Sequence, residues 1–137
     1  MKIIQIFFLL LSFSVFSQST FEKAEKLYAQ KKYNEAEKLF SEHLKSQPNH
    51  AKTIEYLGDI AGHQKDWDAA IANYKKLKVS YPKNANYWYK YGGALGMKAK
   101  ESNKFKALGM IDEVEESFLT AVKLDSKHIE TRWALVM

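Results

Sequence analysis

AKTIEYLGDIAGHQKDWDAAIANYKKLKVSYPKN, residues 51–84, decides the fold, because its small and aromatic residues recur at a fixed distance along the chain. Gly58 has Ala24 34 residues before it and Gly92 34 residues after it. At the same spacing Tyr33 precedes Trp67, Ala36 precedes Ala70, Phe40 precedes Tyr74 and Pro48 precedes Pro82. Five positions in one register mark a repeated structural unit. Around them the pattern is helical, with two helices to a unit. The small residues at unit positions 8 and 20 fall where those helices cross, and only a short side chain lets the backbones approach there. Tyr33 and Trp67 start the second helix beside the turn. Phe40 and Tyr74 lie about one turn beyond the alanine, on the same buried face. Pro48 and Pro82 end the second helix, which a proline ring cannot continue.

This pattern resembles the tetratricopeptide repeat, a 34-residue helix-turn-helix unit. The resemblance implies an all-α fold, an α-solenoid. Repeat one takes residues 18–50, repeat two 51–84 and repeat three 85–128, and 129–137 reads as the first helix of a partial fourth. Repeat three opens in register at Trp88, Tyr91 and Gly92 and then departs from it. Phe118 takes the place of Tyr74 at a distance of 44 residues, so ten residues are inserted near 99–108. The insertion, AKESNKFKAL, is polar, with a break or a helix start at Ser102-Asn103. It reads either as a longer first helix followed by a surface loop, or as an element folded over one mouth of the groove. Val114 stands where the earlier repeats have alanine, which predicts a wider helix pair, and Ser126 stands where they have proline. The chain ends IETRWALVM, apolar where a terminal repeat normally shows a polar outer face. Either a longer protein continues from here, or this end meets a partner or self-associates through Trp133–Met137.

The opening residues follow another logic. MKIIQIFFLLLSFSVFS carries one lysine, an apolar run from Ile3 to Leu11, and small residues up to Ser17. That is the layout of a secretory signal peptide, with cleavage expected after Ser17 and Gln18 as the new N-terminus. The alternative is an uncleaved N-terminal anchor, although the run is shorter than the roughly 20 residues that span a bilayer. The signal looks like those of Gram-negative envelope proteins of the Bacteroidetes kind, so the expected location is the periplasm or the outside. The chain has no cysteine, which excludes disulfides, thiolate metal sites, a thiol nucleophile and a lipoprotein anchor. The net charge of +5 comes without a basic cluster interleaved with stacking aromatics, so no nucleic-acid partner is expected.

No catalytic constellation emerges. YGGALG, residues 91–96, is the most glycine-dense stretch, but no strand precedes it and no Lys-Ser/Thr follows at P-loop spacing. His43, His50, His63 and His128 lack a second ligand at the spacing of a metal-binding helix. Asp66 and Asp68, and likewise Glu113, Glu115 and Glu116, read as acids placed early in helices, where they favour the helix dipole. The sequence therefore predicts no enzyme, no metal and no cofactor.

What the resemblance implies is binding. In the family the first helices line a concave face through unit positions 2, 5, 9, 12 and 13. Carried over, repeat one offers Gln18, Phe21, Glu25, Tyr28 and Ala29; repeat two offers Lys52, Glu55, Asp59, Gly62 and His63; repeat three offers Asn86, Tyr89, Gly93, Gly96 and Met97. Some members grip a chaperone's C-terminal carboxylate with Lys at position 5 and Asn at position 9. Here those positions hold Phe21/Glu25, Glu55/Asp59 and Tyr89/Gly93, so that clamp is absent and a basic or neutral segment suits the face better. The expected function is an exported protein-interaction scaffold that binds a peptide or partner protein and meets membranes only through envelope partners. The alternative is a ligand-binding or helical accessory part of a larger envelope complex or enzyme.

Overall fold

The structure, a computed structural model, describes residues 19–127. The expected signal peptide (residues 1–17), Gln18, His128 and the segment expected to open a fourth repeat (129–137) lie outside the described residues. Six helices follow one another among the described residues, with no strand. They are α1, helical over residues 19–29, α2 (Tyr33–Ser46), α3 (Ala51–His63), α4 (Trp67–Ser80), α5 (Ala85–Glu101) and α6 (Lys104–Leu124). The chain forms two compact units, divided between Leu57 and Gly58 inside α3.

The turns show why the helices stop where they do. After α1, the Lys31 and Lys32 amides donate to the carbonyls of Tyr28 and Leu27. After α3, the Lys65 and Asp66 amides donate to Gly62 and Ala61 in the same way. This closes a helix through one residue in the left-handed region. That residue is lysine in both turns, Lys31 at φ 61° and Lys65 at φ 60°. Among the described residues four helix starts are capped by side chains: His50 accepts from the Thr53 amide, Asp66 from Ala69, Asn84 from Tyr87 and Asn103 from Lys106. Pro48 and Pro82 follow α2 and α4 by two residues, where the chain turns away.

In the first unit the core is Ala24, Ala36 and Phe40, each fully buried. Phe40 stacks on Tyr56 with ring centroids 4.7 Å apart. Phe21 lies within 5.0 to 6.2 Å of Phe40, His43, His50 and Tyr56. His50 caps α3, its Nδ1 accepting from the Thr53 amide at 3.3 Å. Burial, and then the nearby His43, hold its pKa below the ordinary 6.5, against an opposing pull from Glu25.

In the second unit, Gly58 of α3 and Ala70, Tyr74 and Leu77 of α4 are buried. A Cβ on Gly58 would come within 2.6 Å of the Tyr74 ring. One hairpin later, a Cβ on Gly92 would meet Ser117 at 3.0 Å and the Phe118 ring at 3.1 Å. So α5 and α6 keep close contact at Gly92 despite Val114, contrary to the wider pair expected from the sequence. Val114 lies opposite Gly96, where a Cβ would stand 3.7 Å from Val114 Cγ1, at ordinary contact distance. The inserted residues are helical, not a loop. They lengthen α5 to 17 residues and α6 to 21, against 13 and 14 for α3 and α4, with Ser102-Asn103 as the joint. Because α6 starts at Lys104, Glu113, Glu115 and Glu116 sit mid-helix and cap nothing.

Two outcomes follow. Gly58→Ala loses about 1–3 kcal/mol through overpacking against Tyr74. Gly93→Ala, at a mid-helix position with nothing within 4 Å of the new Cβ, gains about 1 kcal/mol from helix propensity. Urea midpoints measure both, and equal signs would refute the packing argument. Because the folded chain holds His50 neutral, the unfolded chain binds more protons below pH 6.5. Stability is full above that pH and falls as pH drops through the depressed folded value. His50→Asn keeps the cap without titrating, so its stability-against-pH curve, measured by thermal melts, lacks that fall.

Candidate functional site

The candidate face residues fall on α1, α3 and α5, and the structure divides them into engaged and open positions. The three acids are all engaged. Glu25 accepts from the Tyr56 hydroxyl at 3.0 Å. Glu55 is 8% exposed and pairs with Lys52 at 3.3 Å. Asp59 accepts from the Tyr74 hydroxyl at 2.5 Å and from Lys90 Nζ at 2.7 and 2.9 Å. Both tyrosines are donors here. Burial and the bond to Glu25 push the Tyr56 pKa up to about 12, which keeps its hydroxyl protonated. Glu55 and Asp59 are paired with lysines and Glu25 is hydrogen-bonded to a neutral hydroxyl, so the three acids argue less for a basic ligand than their bare charges would.

Two of these contacts are one contact repeated. Glu25 and Asp59 are 34 residues apart, and so are their donors Tyr56 and Lys90. In each case an acid at unit position 9 is tied to a donor on the next first helix, 31 residues on. Sequence reasoning missed Tyr56 and Lys90, although the matching offset was there to find. In repeat three the same position is Gly93.

The aromatic candidates are partly core. Phe21 leans into the Phe40–Tyr56 cluster. Tyr28 packs on Tyr33 and Tyr56 at 5.5 and 4.8 Å. Tyr89 lies 6.0 Å from Phe118 and stays half-buried. His63 is exposed, Asn86 half-buried and Met97 38% exposed. The glycines separate: Gly62 faces Trp67 at 3.8 Å and Gly96 faces Val114, whereas nothing lies within 4 Å of a Cβ on Gly93. Gly93 alone of the three is a bare floor. Asn86, Tyr89, Gly93 and Met97 share one face of α5, at spacings of three and four residues.

Other features escaped the sequence altogether. Lys78 Nζ sits 4.4 Å from the Trp88 ring centroid and 3.9 Å from that of Tyr91, a cation held between two aromatic faces. Burial there lowers its pKa, partly offset by Glu113 and Glu116. The Tyr91 hydroxyl donates to Glu113, and burial together with that bond raises its pKa. Lys98 pairs with Asp68. Among the described residues no group of three His, Asp or Glu is placed to hold a metal ion, and no helix is long and apolar enough to cross a membrane.

In sequence, no family model and no curated protein matches the chain. In structure it is similar to TTC0263, a thermophilic TPR protein of Thermus thermophilus, with a TM-score of 0.76 at 17% identity over 87% of this chain and 62% of that one. The chain thus spans less than two thirds of that protein's length. It is also similar to the first TPR of Spaghetti (RPAP3) bound to an HSP90 peptide, SRMEEVD, with a TM-score of 0.72 at 16% identity over 88% of this chain and 87% of that one. The Arabidopsis OM64 TPR domain gives 0.72 at 18% identity over 88% and 91%. The fold of this chain is all-α, the helix-turn-helix repeat fold of the tetratricopeptide structures.

Proposed function

We propose that the chain is an exported, non-enzymatic scaffold that binds a peptide or partner protein along the α5 face formed by Asn86, Tyr89, Gly93 and Met97. The observation that carries this is Gly93. A mid-helix glycine costs about 1 kcal/mol relative to alanine, and no neighbouring side chain accounts for it, since nothing lies within 4 Å of where a Cβ would be. A close-approaching partner backbone accounts for it. Tyr89 and Met97 supply amphipathic and adaptable apolar contacts at either side. Export rests on the signal-peptide layout of residues 1–17, and the periplasm or the outside is its destination.

A similar solved TPR domain holds an HSP90 peptide. Here the positions that would grip its carboxylate carry Glu25, Glu55 and Asp59, each already engaged. SRMEEVD is therefore expected not to bind, as isothermal calorimetry would show.

The test is photo-crosslinking in the native envelope from an amino acid placed at position 93, with position 79, on exposed Val79, as the control. A protein adduct specific to position 93 is expected, with Gln18 as the N-terminus of the crosslinked chain. In Gly93→Leu, with helicity intact by circular dichroism, recovery of that partner through a second crosslinking position drops at least about tenfold, the loss of one well-packed contact region. Undiminished recovery removes the α5 face from consideration.

A further inference from the structure

The second long helix presents two apolar faces, and the fold uses one. Ser117, Phe118 and Ala121 are buried, and Val114 lies against Gly96 of α5. Roughly a third of a turn away round the helix, Phe105 is 87% exposed, Leu108 56% and Ile111 48%. Of these three residues, at spacing i, i+3 and i+6, Phe105 and Leu108 belong to the turns that make α6 longer than α4, and Ile111 takes the place that Trp67 has at the start of α4.

The charges around the stripe are arranged against the helix's own interest. An N-terminal turn favours acids, yet the first turn of α6 carries none and holds Lys104 and Lys106. Further along, Asp112, Glu115 and Glu116 flank the stripe, while Glu113 is turned toward α5 and accepts from Tyr91. A helix that is basic at one end of an exposed apolar stripe and acidic at the other is complementary to itself in the antiparallel sense.

We infer that this face of α6 docks a second copy of the chain, with the two α6 helices antiparallel about a two-fold axis at Leu108. In that arrangement Leu108 meets the partner's Leu108, and Phe105 lies level with the partner's Ile111. Lys104 lies level with the partner's Asp112 and within a turn of the partner's Glu115. The symmetry makes each contact twice, as an isologous interface requires. Gly109, exposed and with nothing within 4 Å of a would-be Cβ, lets the backbones approach beside the axis. A parallel pairing would oppose lysine to lysine and acid to acid. An anionic membrane suits the lysines but is repelled by the acids that flank the same stripe. This surface is separate from the α5 face at Gly93, so either can fail without the other.

The chain has no cysteine, so one introduced thiol reports alone. Sedimentation of the full chain at rising concentration is expected to show a monomer–dimer equilibrium. Leu108→Cys, across the axis from itself, oxidises to a covalent dimer at least about tenfold faster than Val79→Cys on α4, as proximity requires. Lys104→Glu and Asp112→Lys each weaken the dimer about fivefold or more, because each breaks two ion pairs, and the double variant restores it. All of these side chains are exposed, so unchanged circular dichroism shows that each variant has folded. A monomer at every concentration overturns the proposal, as does equal oxidation at positions 108 and 79. So does a charge swap that fails to rescue. Loss of dimer on deleting residues 128–137 would place the association in that segment instead. Binding of the monomer to vesicles of anionic phospholipid, abolished by Phe105→Ser, would make the surface a lipid site.

Discussion

An aromatic ring lying against a glycine sets the geometry of the second compact unit. Gly58 has no side chain, so the Tyr74 ring settles within 3 Å of where a Cβ would be. Dense contact of this kind gives a hairpin its dispersion energy, and it tolerates no added methyl. The consequence reaches beyond packing. With its ring there, the Tyr74 hydroxyl arrives 2.5 Å from Asp59, and Asp59 in turn holds Lys90 on α5. One missing Cβ thus positions an aromatic, the aromatic positions an acid, and the acid ties one hairpin to the next helix. Asp59 and Lys90 each keep 21% of their side-chain surface exposed, so water softens the pair without dissolving it.

The third hairpin keeps the same contact with altered parts. Phe118 stands in for Tyr74 against Gly92, and it has no hydroxyl to offer. The inserted residues add turns to both helices, and Val114 lies opposite Gly96 of α5. The surplus length carries Phe105 and Leu108 of the exposed stripe, which Ile111 continues. Among the described helices, α6 has both a packed apolar face and a second one turned to solvent.

Much of the repeat architecture was legible because 34-residue periodicity fixes the angle of each residue round its helix. The helical hairpins and the small residues at Gly58 and Gly92 follow from spacing, and the break at Ser102-Asn103 from its polar residue types. The ties of Glu25 to Tyr56 and of Asp59 to Lys90 share one offset, but the offset does not say that these side chains meet. The candidate face was legible only as a set of angles. Periodicity puts Gly62, Gly93 and Gly96 on neighbouring angles, and it cannot tell which of them meets a side chain of the adjoining helix.

The sequence by itself determined the repeat length, the helical hairpins and the residues that must be small where helices cross, because these are properties of local spacing. Tertiary structure decided the rest. It turned Gly96 toward Val114 and left Gly93 bare, gave Glu25, Glu55 and Asp59 their partners, and placed Glu113 to Glu116 mid-helix. The physical reason is reach. Whether a side chain is free, buried or bonded depends on the length and crossing of the helix opposite, and the YGGALG stretch carries no record of the neighbour that each of its glycines faces.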